Sequence, residues 1–316
     1  MSNVPNPDAL PDVPTPDELE ALEDEVHFHT TRHGTKMAFH EYGDPQGRPL
    51  VFYHGTGSHV HGMMLHKSAR SRGFRVIAPD RPGVAQSEFR PGWTVLDFAH
   101  DVADLADALG IATFGAVGIS GAGPTLMASA HAIPERLHCV VDLACAMPLY
   151  RDPEMVHHLG TMDRIYAKLG SSLPLPLFEI PFSVLGFTQK ILKSPETFAH
   201  MFDSSLCPPD KALFRNPNLQ YLFMRDFQEL FRHGAEGPAY DAQTVYLNWG
   251  FSIADISTHI EVFHGTEDLF VPLQFSQYLG ATAQDVHLNR IDGQGHFYHL
   301  AYADHTLEEV EKRFYR

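Results

Sequence analysis

The sequence predicts an α/β protein: a mostly parallel central sheet, helices on both faces, and a helical insertion in the second half. Three observations carry this. Short apolar runs alternate with helix-period segments between Leu50 and Cys145, and such alternation marks strands buried on both faces. The alternation stops at about Met147, where a stretch rich in Phe, Leu, Met and Pro begins with no clear strand pattern. Strand character then returns at Ile260–His264. With 316 residues, 44% apolar and 20% charged, the chain suits one large domain or two modest ones with a substantial core.

In chain order, residues 1–24 hold five prolines among Asp and Glu. They read as a flexible acidic tail that becomes a short helix near Asp17–Asp24. Glu25–Thr30 and Lys36–Tyr42 read as paired strands around the turn Arg32-His33-Gly34. Leu50–His54 and Phe74–Ala78 are apolar runs of strand length. Leu96–Leu109 repeats apolar residues at helical spacing. Phe114–Ile119 is a strand, Ala122–His131 a helix and His138–Cys145 a strand. Residues 148–251 read as a helical insertion, which divides the core into residues 25–147 and 252–316. A helix is expected at Leu273–Leu279, a strand at Val286–Ile291 and a closing helix from Leu307 towards Phe314.

Lys plus Arg number 23 against 39 Asp plus Glu, a net charge of −16. A surface that acidic repels nucleic acid and anionic lipid, so neither is expected as a partner. Cys139, Cys145 and Cys207 form no disulfide framework, which fits a reducing, cytoplasmic setting. No targeting segment shows at the start. Gly110–Ala130 lacks charge, but its glycines and Pro124 read as strand, turn and helix and not as a membrane span.

The chemistry concentrates in loops that follow strands. Gly118-Ile119-Ser120-Gly121-Ala122-Gly123 lies where a strand meets a helix. A sharp turn there brings the residues two before and two after Ser120 together, so both must be small, and it lifts Ser120 clear of the sheet. The following helix points its N-terminus at the site, favouring negative charge. His54-Gly55-Thr56-Gly57 follows an earlier strand, with glycines that free backbone N–H groups to face an oxyanion. His264-Gly265-Thr266-Glu267-Asp268 offers a carboxylate, and Gly293-Gln294-Gly295-His296 an imidazole. Nucleophile, acid and base thus occur in the order Ser, Asp, His at strand C-terminal ends, where sites form in open α/β sheets.

These segments, with Asp80-Arg81-Pro82-Gly83 and the run from His264 to Pro272, resemble the α/β-hydrolase superfamily. More narrowly they resemble its capped, esterase-like and proline-iminopeptidase-like branch. The resemblance runs from about residue 25 to 316. It departs at Ala122 and Ala85, where glycine is usual, and neither change removes a chemical group. The HGGPG signature of proline iminopeptidases is absent, so aminopeptidase activity is not carried over.

The resemblance implies a Ser120 nucleophile, a His296 base oriented by Asp268, and an oxyanion hole from the Gly121 and Thr56 N–H groups, with Gly57 as rival to Thr56. Asp268 is preferred to Glu267, and His296 to His299. Asp80 reads as a brace between loops, and Asp142 as a satisfied strand residue. The 21 histidines, including the pairs His27/His29, His59/His61 and His157/His158, lack metal-ligand spacing. No metal and no cofactor is expected, and His59, His61 and His66 are candidates for the pocket mouth. The predicted activity is serine hydrolysis of a small, hydrophobic carboxylic ester or related acyl compound, within a pocket that disfavours charge. The competing reading is a non-catalytic ligand-binding or receptor-like protein on the same fold. Substrate identity and oligomeric state are not readable.

Overall fold

Eight strands form one sheet among residues 13–150 and 153–314, the part of the chain described in this computed structural model. They are β1 (His27–Thr30), β2 (Lys36–Gly43), β3 (Arg48–Tyr53), β4 (Phe74–Pro79), β5 (Phe114–Ile119), β6 (Leu137–Leu143), β7 (Ile260–Gly265) and β8 (Val286–Ile291). The order across the sheet is β1-β2-β4-β3-β5-β6-β7-β8. β1 and β2 pair antiparallel, as do β2 and β4, and every pairing from β4 through β8 is parallel. The chain moves outward to β4 on one side of β3 and to β5 on the other. The loops after β3 and β5 therefore meet at a topological switch point, where α/β sheets open a crevice.

Successive strand residues face opposite sides, and two apolar clusters use this. Phe52, Val76, Val117 and Val141 pack with Leu307 and Val310 of the closing helix and with Phe198, Phe223 and Phe227. Val51, Ile77, Ala116, Val140 and Val262 pack on the other face with Phe98 and Val102 of the helix Val95–Ala108. That helix starts where sequence logic places it, with Thr94 and Asp97 in a reciprocal capping box.

Between β6 and β7 the chain runs through helices Thr161–Gly170, Leu175–Ile191, Pro195–His200, Pro208–Leu213, Pro217–Leu230 and Glu236–Thr244, with no strand among the described residues. No described helix is long and apolar enough to cross a membrane. Gly110–Ala130 contains β5, the turn at Ser120 and most of the helix Gly123–Ala132.

Three expectations change. The helices Val60–Met63 and His66–Arg72 lie between β3 and β4, where the sequence showed only a connection. In His66–Arg72 only Ala69 is buried, so no apolar stripe announces it. The closing helix spans Ala303–Phe314, preceded by a turn at Tyr298–Ala301. Of the acidic tail, residues 1–12 lie outside the described residues, and the rest is packed. Val13 and Leu19 are buried, the helix Pro16–Glu23 is capped by Thr15, and Glu23 Oε2 accepts from Arg225 Nη2 at 2.6 Å.

Candidate active site

Ser120 occupies the end of β5 with φ +57°. The left-handed region costs a residue with a Cβ about 1–2 kcal/mol, strain characteristic of functional turns. The small neighbours are required by close approach. A Cβ on Gly118 would lie 3.1 Å from the Ala122 Cβ and 3.0 Å from Leu126 Cδ2. Ala122 is therefore tolerated only because Gly118 has no side chain. Ala85, the other departure from the family pattern, also adopts positive φ, at +46°.

The loop after β3 presses against this turn. A Cβ on Gly121 would stand 2.9 Å from the Thr56 nitrogen. Thr56 and Gly121 line one cavity with Ser120 and His296, and a Cβ on Gly57 would collide with Asp226 Oδ2. Only glycine at position 57 leaves room for the Asp226 carboxylate.

Asp268 follows β7. Its Oδ2 lies 2.7 Å from His296 Nδ1, and its Oδ1 accepts the N–H groups of Phe270 and Val271 at 2.8 and 2.9 Å. Burial pushes this carboxyl up, but His296, His264 and the Val271 N–H outweigh it and hold it below its ordinary value. Burial likewise pushes His296 down, and the carboxylates of Asp268 and Asp210 overcome it, raising the imidazole. Glu267 is exposed. His299 is buried beside Phe263 and pushed down to about 3, chiefly by burial. Asp80 braces loops: its Oδ1 accepts the His59 N–H and its Oδ2 pairs with His59 Nδ1, both at 2.8 Å. Asp142 is half satisfied. One oxygen accepts the Cys145 N–H at 2.8 Å and the other has no partner among the described residues, and burial raises the group to about 7.

Of the three histidines expected near the pocket mouth, only His61 lines the cavity. His66 Nδ1 accepts the Gly43 N–H instead. His40, His59 and Asp80 place possible ligand atoms within 4.8 Å of one another. The two rings stack at 3.6 Å and 11°, so their lone pairs run side by side and do not converge on one point as tetrahedral ligation requires.

Sequence reasoning missed three buried aspartates contributed by residues 208–244. Asp210 accepts the His296 N–H at 3.0 Å and the Phe297 N–H at 3.1 Å, one on each oxygen. Asp226 Oδ1 accepts both the N–H and the hydroxyl of Ser58 at 2.8 Å, and its Oδ2 lies 3.1 Å from His61 Nε2. Asp241 pairs with both Arg81 Nε and Nη2, while Arg81 Nη2 also donates to the Gly55 carbonyl at 2.7 Å. Each aspartate thus holds one loop around Ser120. A signal existed for Asp226. It shares the buried face of Pro217–Leu230 with Leu219, Leu222, Phe223 and Leu230, and an acid on an apolar stripe needs a partner.

The cavity over Ser120 has a volume of about 310 Å³. Phe178, Phe182, Phe223, Phe227 and Phe231 contribute to its walls, and Phe270 lies 5.2 Å from the His296 ring. A partly open, mostly apolar cleft with a few polar groups at one point suits a small organic ligand.

Fold and sequence together define the class of protein. The chain matches the family described as alpha/beta hydrolase fold over residues 48–301. It is 34% identical over 255 residues to a non-heme chloroperoxidase of Streptomyces lividans, covering 77% of this chain and 82% of that one. A 2-hydroxymuconate semialdehyde hydrolase of Pseudomonas putida is 26% identical over 286 residues, covering 88% and 90%. The enol-lactonase structure from Burkholderia xenovorans LB400 superposes with a TM-score of 0.67 at 17% identity, covering 92% of this chain and 100% of that one. The chain belongs to the α/β-hydrolase superfamily, an enzyme family acting on small molecules.

Proposed function

We propose that this protein is a serine hydrolase acting on a small, largely apolar carboxylic ester or related acyl compound. The carrying observation is the shared cavity: Ser120, at a strained apex, faces the same space as His296, whose Nδ1 is paired with Asp268. With Nδ1–H directed at the carboxylate, Nε2 is the basic nitrogen. It takes the Ser120 proton as Oγ attacks the substrate carbonyl, and returns that proton to the leaving group. The Thr56 and Gly121 N–H groups receive the oxyanion, aided by the N-terminus of Gly123–Ala132. Water activated by His296 then cleaves the acyl-enzyme, releasing the acid and the free serine.

Residues 148–251 serve as the cap, between core segments 25–147 and 252–316. The cap sets substrate preference through its phenylalanines and screens the acyl-enzyme from bulk water. The aspartate links make it an integral wall of the site and not a freely swinging lid.

Ser120→Ala tests the reading. Losing a triad nucleophile costs on the order of 10⁶ in rate, so folded variant should be inactive towards short-chain acyl esters. Residual hydrolysis near a tenth of wild type would remove Ser120 from the mechanism. A wild-type protein that binds esters and never turns them over would favour a ligand-binding role.

A further inference from the structure

The cavity wall carries a carboxylate that no described residue neutralises. Asp163, in the first turn of Thr161–Gly170, lines the same cavity as Ser120 and His296. No lysine or arginine lines it. Asp163 makes no hydrogen bond or ion pair with any described residue, and burial alone shifts it, upward. Its place near a helix N-terminus favours negative charge, yet no described backbone N–H is bonded to it. An uncompensated acid facing apolar space is unfavourable until something of opposite charge arrives.

The surroundings say what would arrive. Tyr166, Phe178, Phe182 and Tyr246 all line the cavity. Tyr166 lies 6.2 Å from Phe178 and 5.9 Å from Phe182, and Phe178 lies 5.4 Å from Phe182 and 6.5 Å from Tyr246. Both tyrosines also sit in the field of the Asp163 carboxylate, which, after burial, raises their hydroxyls. A carboxylate beside a cluster of aromatic rings is the chemistry that selects an alkylammonium group, through charge pairing and attraction to the ring faces. An ammonium would also be drawn towards a molecule of net charge −16.

We propose that Asp163, Tyr166, Phe178 and Tyr246 form a cation subsite, so that the preferred substrate is an acyl compound bearing an alkylammonium group. This rests on the serine-hydrolase reading for its catalytic meaning, and it replaces a pocket that disfavours charge with one that discriminates by sign. Positive charge is accepted and negative charge is not.

Two measurements test it separately from that reading. The first compares butyrate esters whose alcohol ends in trimethylammonium with isosteric esters ending in tert-butyl, at spacers of two to six methylenes. At the best-fitting spacer, wild-type kcat/KM should favour the cation by about tenfold, from the Asp163 charge pair and the ring contacts together. Asp163→Asn should lower the ratio to about twofold, the share left to the rings. A wild-type preference for the tert-butyl ester at every spacer, or a ratio unmoved by Asp163→Asn, overturns the subsite. The second is calorimetry with hexyltrimethylammonium, which needs no turnover. Wild type should bind it, and Asp163→Asn, which loses the charge pair and keeps the rings, should bind about fivefold more weakly. Absence of binding to wild type overturns the subsite even if no ester is hydrolysed. Hydrolysis of neither ester series, with the cation still bound, would sink the hydrolase reading and leave the subsite standing. Should Asp163→Asn fail to fold, the wild-type preference and binding still decide.

Discussion

Replacing Asp210 by asparagine perturbs the segment that carries His296 without touching the histidine. The carboxylate accepts the backbone N–H of His296 at 3.0 Å and of Phe297 at 3.1 Å, from a fully buried position. An amide offers one acceptor oxygen, so one N–H loses its partner and faces an NH₂ group. Hydrogen bonds to a charged group contribute about 1.5–3 kcal/mol, and an unsatisfied buried donor costs about 1–3 kcal/mol, two views of much the same loss. Destabilisation of about 2–3 kcal/mol follows. If the His296 segment relaxes by about 1 Å, turnover falls by as much as about 10², in kcat more than in KM. The charge also matters. His296 interacts with Asp268, Asp210, His61, His264 and His299, and only the two aspartates raise it. Removing one lowers the imidazole, so the acid limb of the kcat/KM profile should move to lower pH. The assay combines thermal melting with pH–rate profiles on a short-chain ester. A lower melting temperature with kcat and the acid limb both unmoved would show that Asp210 is only structural. No change in any of the three would refute the packing argument itself.

In the wild type, activity should be absent while His296 is protonated and should rise with pH. Its midpoint should lie above the ordinary histidine value of about 6.5, because His296 is raised in the folded protein; a midpoint well below that value in a kcat/KM profile would contradict the Asp268 and Asp210 contacts. Asp268→Asn should reduce kcat by about 10⁴ through the wrong imidazole tautomer, whereas Glu267→Gln at its exposed position should change it little, and the reverse ranking would exchange their roles. Gly57→Ala places a methyl 2.2 Å from Asp226 Oδ2. Overpacking of about 1–3 kcal/mol should appear in denaturant unfolding, and unchanged stability would mean that Asp226 moves freely.

What the sequence disclosed and what it hid differ in range. β3, β5 and β7 were legible because parallel strands buried on both faces read as continuous apolar runs ending in glycine-bearing loops. Ser120 and Asp268 follow two of these runs, and His296 follows the alternating strand β8, so their meeting at one sheet edge needed only the order of elements. His66–Arg72 was hidden because it rests on the protein by a single buried alanine. The aspartates were hidden because their partners are remote: 86 residues separate Asp210 from His296, 168 separate Asp226 from Ser58 and 160 separate Asp241 from Arg81. Their trace in the sequence is indirect. Gly295 and Gly57 looked like flexible turn residues, yet a Cβ at either would lie within 2.3 Å of an aspartate oxygen.

The most direct test of the account is to map the adduct of a fluorophosphonate on the folded protein. Attack by an activated serine predicts one adduct per chain, on the peptide containing Ser120. It should be lost in Ser120→Ala, lost on heat denaturation, and slowed in Asp268→Asn. An adduct on any other residue, or none on folded protein under conditions that label a control esterase, would contradict the assignment of Ser120 as the nucleophile.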